Sequence, residues 1–313
     1  MEASGPRSGR LTHLGILRFT GPDASNFLQG QVTNDLKRLT ANNTMLAAYL
    51  TPQGRVLALM HLLPHSSGTL AILPRELMQP TAERLRKFVL RAKVKIDDPG
   101  ASLAVAGCHG SAALGQAGLP VPGEAGGYAE LNGVGVARIG RETRYWVVAP
   151  PTAPLDAPDS GGCTAAMIER DWRLADIQAG LPQVYAATSE VFVAQMLNLD
   201  RLDGISFSKG CYTGQEIVAR TQNLGRIKRR LFHLQLPHGE LPRHDWRIGE
   251  ALSLSDGRQG RITEVIETEA AIDALAVLSL GALPASEIPE AEGPEKAAIR
   301  VPAVQVPLPY PLD

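Results

Sequence analysis

From Lys228 to the C-terminus the chain stops producing helical spacing and offers only short apolar runs, Leu231 to Leu236, Ala251 to Leu254, Gly260 to Val265 and Ala274 to Leu280. Runs of that length, separated by turn residues, match the strand spacing of a small barrel. Upstream, strands and helices are mixed. Mixed elements followed by strands alone predict an α+β protein with an all-β C-terminal domain. The 313 residues allow two domains, or three small ones, at roughly 150 residues each. The boundary is placed at Arg226 to Lys228, giving an α+β region over 1–227 and a small β-barrel over 228–313.

Within the first region, Leu11 to Phe19 reads as a strand and Gly21-Pro22-Asp23 as the start of a helix that Gly30 closes. Thr44 to Leu50 and Arg55 to Leu63 form a hairpin about Thr51-Pro52-Gln53-Gly54, where proline presets φ and glycine accepts a positive φ. Thr69 to Leu73 adds a strand. Leu77, Leu85, Phe88 and Val89 then recur at helical spacing, which predicts a basic amphipathic helix over Arg75 to Lys93. Short strands follow at Leu103 to Ala106, Gly135 to Ile139 and Tyr145 to Ala149. The proline-rich run 150–162 reads as an exposed loop, Thr164 to Ile177 and Ser189 to Leu197 as helices, 284–296 as a mobile stretch, and Val304 to Leu308 as a last strand.

With 31 Lys+Arg against 32 Asp+Glu the net charge is −1, so no nucleic acid, membrane or acidic polymer is advertised as a partner of the whole molecule. No run reaches the ~18 apolar residues of a membrane span and the N-terminus is polar, so a cytoplasmic protein is expected. Cys108, Cys163 and Cys211 lie far apart, which leaves single-thiol chemistry. No metal site is expected: Pro64 interrupts the element carrying His61 and His65, and Cys108-His109 are adjacent rather than convergent. The clusters Arg84 to Lys95 and Arg220, Arg226, Lys228, Arg229, Arg230 read as solvated faces, with an anionic ligand or RNA as the alternative.

The densest segment is Lys209-Gly210-Cys211-Tyr212-Thr213-Gly214-Gln215-Glu216, leading into Ile217-Val218-Ala219-Arg220. Glycines on both sides of one thiol let the backbone approach a ligand and turn into a helix whose N–H groups lie near the sulfur, which favours thiolate. Lys209 lowers the thiol pKa further if its ammonium reaches the sulfur. The plainer reading is a buried cysteine in a tight turn. Trp172, between Arg170-Asp171 and Arg173, either packs or presents a flat face to a heteroaromatic ring.

The run from Asn198 through Gly204-Ile-Ser-Phe-Ser-Lys-Gly-Cys-Tyr-Thr-Gly-Gln-Glu to Arg220 closely resembles the signature of the YgfZ branch of the YgfZ/GcvT family, folate-binding proteins of iron–sulfur cluster maintenance. Gly21-Pro-Asp-Ala-Ser-Asn-Phe-Leu-Gln-Gly-Gln-Val-Thr-Asn-Asp35 is similar to the family's opening motif, Ile177-Gln-Ala-Gly-Leu-Pro182 to its middle one, and Leu308-Pro-Tyr310 to its ending. The resemblance runs from about Leu11 onward. It implies a ring of ferredoxin-like α+β lobes with a small C-terminal β-barrel and a tetrahydrofolate site, or one for a one-carbon derivative, in a central channel. Lys209, Gly210, Cys211, Gly214, Gln215 and Glu216 fall on the branch signature, with Cys211 the residue tied to activity. Trp172 matches a folate-associated aromatic.

Chemistry adds to this. A pterin needs polar groups at its amino-pyrimidinone edge, for which Gln178 and Gln195 are candidates, and cations for its glutamyl tail, for which Arg220 and Arg226 are candidates. The bend at Cys211 is expected to open toward the pterin cavity. Where glycine-cleavage aminomethyltransferases carry an aspartate pair after a glycine turn, this chain has Leu57 and Ala58; where they have glutamate it has Gln178, and Leu14 stands at another folate-associated tryptophan position. The expectation is a tetrahydrofolate-dependent accessory factor in iron–sulfur cluster assembly or repair, with indirect effects on tRNA modification and with assembly or client proteins as partners. An aminomethyltransferase and an RNA-binding module are the alternatives; neither aminomethyl transfer nor direct RNA binding is expected.

Overall fold

A computed structural model describes residues 8–153, 164–237, 246–281 and 300–312. The chain opens with β1 (Ser8–Arg10) and β2 (Leu14–Thr20), then α1 (Ala24–Gln29), the hairpin β3 (Met45–Leu50) and β4 (Val56–His65), β5 (Gly68–Pro74), α2 (Arg75–Arg86) and β6 (Lys95–Asp97). The first sheet has the order β3-β4-β5-β2-β6. A second sheet uses β1 with β7 (Ala104–His109), β8 (Tyr128–Leu131), β9 (Val134–Ile139) and β10 (Arg144–Ala149), in the order β1-β7-β10-β9-β8; α3 (Ala112–Gln116) lies between β7 and β8 in the chain. After α4 (Ala165–Gln178) and α5 (Gln215–Asn223) come β11 (Arg229–Leu236), β12 (Ala251–Leu254), β13 (Gln259–Glu267), β14 (Ile272–Ser279), β15 (Arg300–Val301) and β16 (Val304–Val306).

The first sheet is buried on both faces, which explains its near-continuous apolar strands. Leu14, Ile16, Leu70 and Ile72 point one way, into a core shared with Val105, Ile139, Trp146 and Trp172. Leu17, Phe19, Ala71 and Leu73 point the other way, into a core shared with α1, α2 and Leu231, Leu275 and Val277 of the C-terminal sheet. Alternate residues of one strand therefore tie two neighbouring layers together.

The C-terminal strands form a six-stranded sheet in the order β15-β12-β13-β14-β11-β16, antiparallel except where β12 meets β15. Its Leu234, Leu252, Ile262 and Leu278 build a core of their own. The molecule is thus a mixed α/β protein with three largely antiparallel sheets. Closure of the third into a barrel is not among the described pairings.

Two helix expectations are corrected. The helix from Arg75 ends at Arg86 rather than Lys93, because Phe88 and Leu90, 48% and 86% exposed, do not face the core, and the chain leaves in short turns. Residues 189–197 are not an α-helix. The amide of Val56 donates to the Phe192 carbonyl and that of Glu190 to the Val56 carbonyl, both at 2.8 Å, so residues 190–192 bond across to β4, with single 3₁₀ turns before them at Ala186–Thr188 and after them at Ala194–Leu197. β8 was not foreseen. The predicted loop 150–162 is described only to residue 153, and the stretch 284–296 lies outside the described residues. Among the described residues no helix is long and apolar enough to cross a membrane.

Candidate functional site

The opening and late motifs, some 170 residues apart in sequence, are stitched together. Thr33 Oγ1 donates to the Gly204 carbonyl at 2.7 Å, the Ser206 amide to the Thr33 carbonyl at 3.0 Å, and Asn34 Nδ2 to the Asp203 carbonyl at 2.6 Å. Lys209 completes the seam. Its ammonium is buried and donates to the carbonyls of Gln29, Val32 and Asn34 at 2.6, 2.8 and 2.8 Å. Burial pulls its pKa down to about 8, with Asp35 acting against the shift. All three N–H donors of the ammonium are committed to carbonyls, so the expected reach of Lys209 to the thiol is corrected.

Cys211 is exposed, as is Gly210, where an added Cβ meets nothing within 4 Å. Gly214 holds φ at 81° and caps α5; a Cβ there would lie 2.5 Å from the Thr51 carbonyl oxygen, so the backbone of the cysteine turn rests directly on the hairpin turn between β3 and β4. Only glycine satisfies both that φ and that contact. Tyr212 is buried, its ring 5.0 Å from the Lys209 ammonium, and burial pushes its phenol up to about 12. Gln215 is half-buried, while Glu216, Arg220 and Arg226 are exposed. Arg230 leaves the expected basic face altogether: it is buried and paired with Asp200 at 2.6 and 2.9 Å.

An apolar-walled cavity lies elsewhere. It measures about 480 Å³ and is walled by Met45, Leu46, His61, Gln178, Leu181 and Tyr310, with Arg38, Arg138, Arg141 and Arg201 also lining it. That volume lies within the ~300–1,000 Å³ of small-molecule sites. Gln178, exposed at the end of α4, is the one sequence-chosen residue in this wall. Cys211, Arg220 and Arg226 are outside its lining, so the expectation that the cysteine bend opens into the cavity is corrected: thiol and cavity are separate features.

Trp172 is fully buried, stacked at 6.4 Å on Trp146 with the Arg144 guanidinium 4.8 Å from its ring centre. Its neighbours are those of a core residue. Gln195 is also fully buried and donates through Nε2 to the Val218 carbonyl at 2.8 Å, anchoring α5.

Arg38, Arg141 and Arg201 were not singled out from sequence, and His61 was weighed there only as a metal ligand. Their signal was faint: Arg38 follows the opening motif and Arg201 sits in the late one, each looking like a solvated cation. Burial lowers the His61 pKa to about 4, which makes its imidazole neutral near pH 7.

At its inner end the cavity shares His61, Ile139 and Leu181 with a small enclosed chamber lined by His13, Trp146, Asp176, Tyr185 and Glu264. Tyr185 donates to Glu264 Oε2 at 2.6 Å and Arg173 pairs with the other oxygen. Asp176 accepts from Arg144 at 2.8 Å; burial raises its pKa against the pull of that guanidinium. The Trp146 indole N–H is buried and has no partner among the described residues.

No family model matches the chain. It is 33% identical to tRNA-modifying protein YgfZ of Colwellia psychrerythraea (strain 34H / ATCC BAA-681) over 72% of this chain and 70% of that protein. It is also 33% identical to tRNA-modifying protein YgfZ of Escherichia coli (strain SE11), over 80% and 77%. Among solved structures, the glycine cleavage system aminomethyltransferase T of Bartonella henselae superposes with a TM-score of 0.65 over 89% of this chain and 86% of that one at 16% identity, which speaks to the fold alone. With this sequence identity over most of both chains, and with the opening and late motifs joined in one seam, the chain belongs to the YgfZ family.

Proposed function

We propose that this protein binds tetrahydrofolate or a one-carbon derivative in the cavity at Gln178 and serves as an accessory factor in iron–sulfur cluster assembly or repair, affecting tRNA modification through cluster-dependent enzymes. The observation that carries the reading is the cavity wall. The Gln178 amide can both give and accept a hydrogen bond at an amino-pyrimidinone edge, neutral His61 can do the same, and Met45, Leu46 and Leu181 supply the apolar faces a fused ring needs. The donor set fits the group. When bound, tetrahydrofolate would supply a ring nitrogen and the neighbouring bridge nitrogen that carry one-carbon units.

Cys211 gives the surface a separate chemistry. An exposed thiol between glycines is open to a macromolecular partner, and a single thiolate can occupy one ligand position on iron but cannot hold a cubane cluster alone. Its proposed role is therefore a transient contact with an assembly or client protein in the cytoplasm. The boundary near Lys228 and the closure of the last sheet into a barrel around a central channel belong to the same proposal.

The fold neighbour favours aminomethyl transfer as a second reading. Against it, Leu57 and Ala58 are buried on β4 after the Gly54 turn. Without a carboxylate there, the ~10²- to 10⁴-fold help of a general acid is missing.

The test is calorimetric titration of the wild type and of Leu181→Trp, which fills the cavity, with tetrahydrofolate. Binding by the first and its loss in the second are expected. No heat with the wild type would overturn the cofactor reading. In cells lacking the protein, Cys211→Ser should fail to restore a cluster-dependent enzyme that the wild type restores.

A further inference from the structure

The middle and ending motifs meet at one wall of the cavity. Gly180 follows α4 with φ at 64°, and a Cβ there would lie 2.7 Å from Leu308 Cδ2 and 2.9 Å from the Tyr310 hydroxyl oxygen. Only glycine combines that backbone conformation with that contact, so Gly180 is the seat on which residues 307–312 lie. Pro309 and Tyr310 line the cavity together with Gln178 and Ala179.

Side chains fasten this segment. Proline at 307, 309 and 311 removes every second backbone donor, and among the described residues no backbone-to-backbone hydrogen bond reaches 307–312. The Tyr310 hydroxyl donates to the Gly180 carbonyl at 2.7 Å and accepts from Asn198 Nδ2 at 3.3 Å. Arg141 donates to the Pro309 carbonyl at 3.0 Å and Arg201 to the Leu312 carbonyl at 3.1 Å. Leu308, Tyr310 and Leu312 are half-buried, and the three prolines that alternate with them are exposed. Upstream, β16 pairs with β11 through Val304, Gln305 and Val306 and anchors the base. A segment with little buried apolar surface and no backbone ladder opens at a small fraction of the free energy of global unfolding.

We infer that residues 307–312 form a strap that gates the cavity. It pivots after β16, is latched by Tyr310 on Gly180 and clasped by Arg141 and Arg201, and its release uncovers the wall at Gln178 and Ala179. The latch then sets how fast a small molecule enters and leaves this space. Gating of this kind does not depend on the ligand being a folate.

The experiment puts a thiol under the strap and follows its modification by N-ethylmaleimide on the full chain. In a Cys163→Ser, Cys211→Ser background, Ala179→Cys places the reporter in the buried wall beside Gly180, and native Cys108, buried in β7, registers any wider loosening. Tyr310→Phe keeps the ring and removes both hydroxyl bonds. It should speed modification of the reporter by about two- to tenfold, the effect of one or two ordinary hydrogen bonds on an opening equilibrium, and leave Cys108 as slow as before. Arg141→Gln and Arg201→Gln should act in the same direction. An unchanged reporter rate in Tyr310→Phe overturns the gate, and so does equal acceleration of the reporter and Cys108, which is general loosening. Leu181→Cys, on the other side of Gly180, serves as the reporter should Ala179→Cys fail to fold.

Discussion

The ring of Trp172 occupies the space that a side chain at Gly107 would need: a Cβ there would sit 2.5 Å from Trp172 Cε3. Strand β7 therefore requires glycine where α4 packs its tryptophan against the second sheet. Gly107→Ala should destabilise the fold by about 1–3 kcal/mol, the usual penalty for overpacking a rigid core. Gly210→Ala, with open space around its Cβ, should stay within about 0.5 kcal/mol. Urea unfolding of the two variants checks this, and equal losses would contradict the packing of Trp172.

Lys209 ties the opening motif to the late one through three carbonyls. Lys209→Met keeps the aliphatic stem and removes every donor, leaving those carbonyls unserved in a buried seam. A loss of roughly 2–4 kcal/mol is expected, given the strength of hydrogen bonds to a charged group. Hydrogen exchange should show the loosening concentrated at residues 29–34 and 204–209. Unchanged stability with reduced thiol reactivity would instead return Lys209 to a role at Cys211.

The two described cysteines should part company in an alkylation experiment. Cys211 is exposed, whereas Cys108 is buried in β7 and burial pushes its thiol up to about 11. The thiolate is the reactive species, so Cys108 is disfavoured by both access and ionisation. In a Cys163→Ser background, iodoacetamide at neutral pH should label Cys211 alone, and Cys108 only after unfolding. Peptide mapping that finds Cys108 labelled in the native protein would refute this arrangement.

Much of the fold was legible because its strands are buried on both faces. Thr44 to Leu50 and Arg55 to Leu63 read as a hairpin about Pro52 and Gly54, which the structure forms as Met45–Leu50 and Val56–His65, and Ala251–Leu254 was bounded correctly. The misses have local causes. Phe88 and Val89 continue the helical spacing of α2, but whether an apolar side chain faces core or solvent is decided by layers that periodicity does not show. Residues 189–197 yielded to long-range pairing with β4, which no local propensity reports. Gln178, chosen for its motif and its chemistry, lies in the cavity wall. Trp172 and Gln195 have side chains that suit a pterin, yet their full burial depends on packing between distant segments. The rim arginines were illegible for the opposite reason: in sequence they look like any exposed cation, and only the fold gathers them.

Arg230 and Asp200 make a buried bidentate pair, and Arg230 also donates to the Gln195 carbonyl at 3.1 Å. Removing one partner leaves a desolvated charge. Asp200→Ala should cost about 3–5 kcal/mol, more than Asp203→Ala, whose carboxylate meets Arg38 on the surface and is worth at most ~1 kcal/mol. Parallel thermal and urea denaturation separates the two, and comparable losses would mean that the Arg230 pair is solvated.

His61 should contribute a loss of stability on the acid side. Its folded-state pKa, about 4, lies below the ordinary 6.5 because the ring is buried. Between these values the unfolded chain binds a proton that the native state refuses, so stability rises with pH in this window and falls as pH drops from about 6.5 to 4. Above 6.5 the imidazole contributes no slope. A shift of this size corresponds to roughly 3 kcal/mol across the window. His13, lowered by burial in the same direction, adds to the same limb. Asp97, held at about 2 by its hydrogen bond to Arg18, acts only at lower pH, where its protonation removes a stabilising pair. His61→Phe, which keeps an aromatic ring edge-on to Trp146, should flatten the decline between pH 6.5 and 4 and leave the steeper loss below pH 4 in place. Urea midpoints measured every half unit of pH check the prediction; a variant with the wild-type slope would place the responsible proton elsewhere.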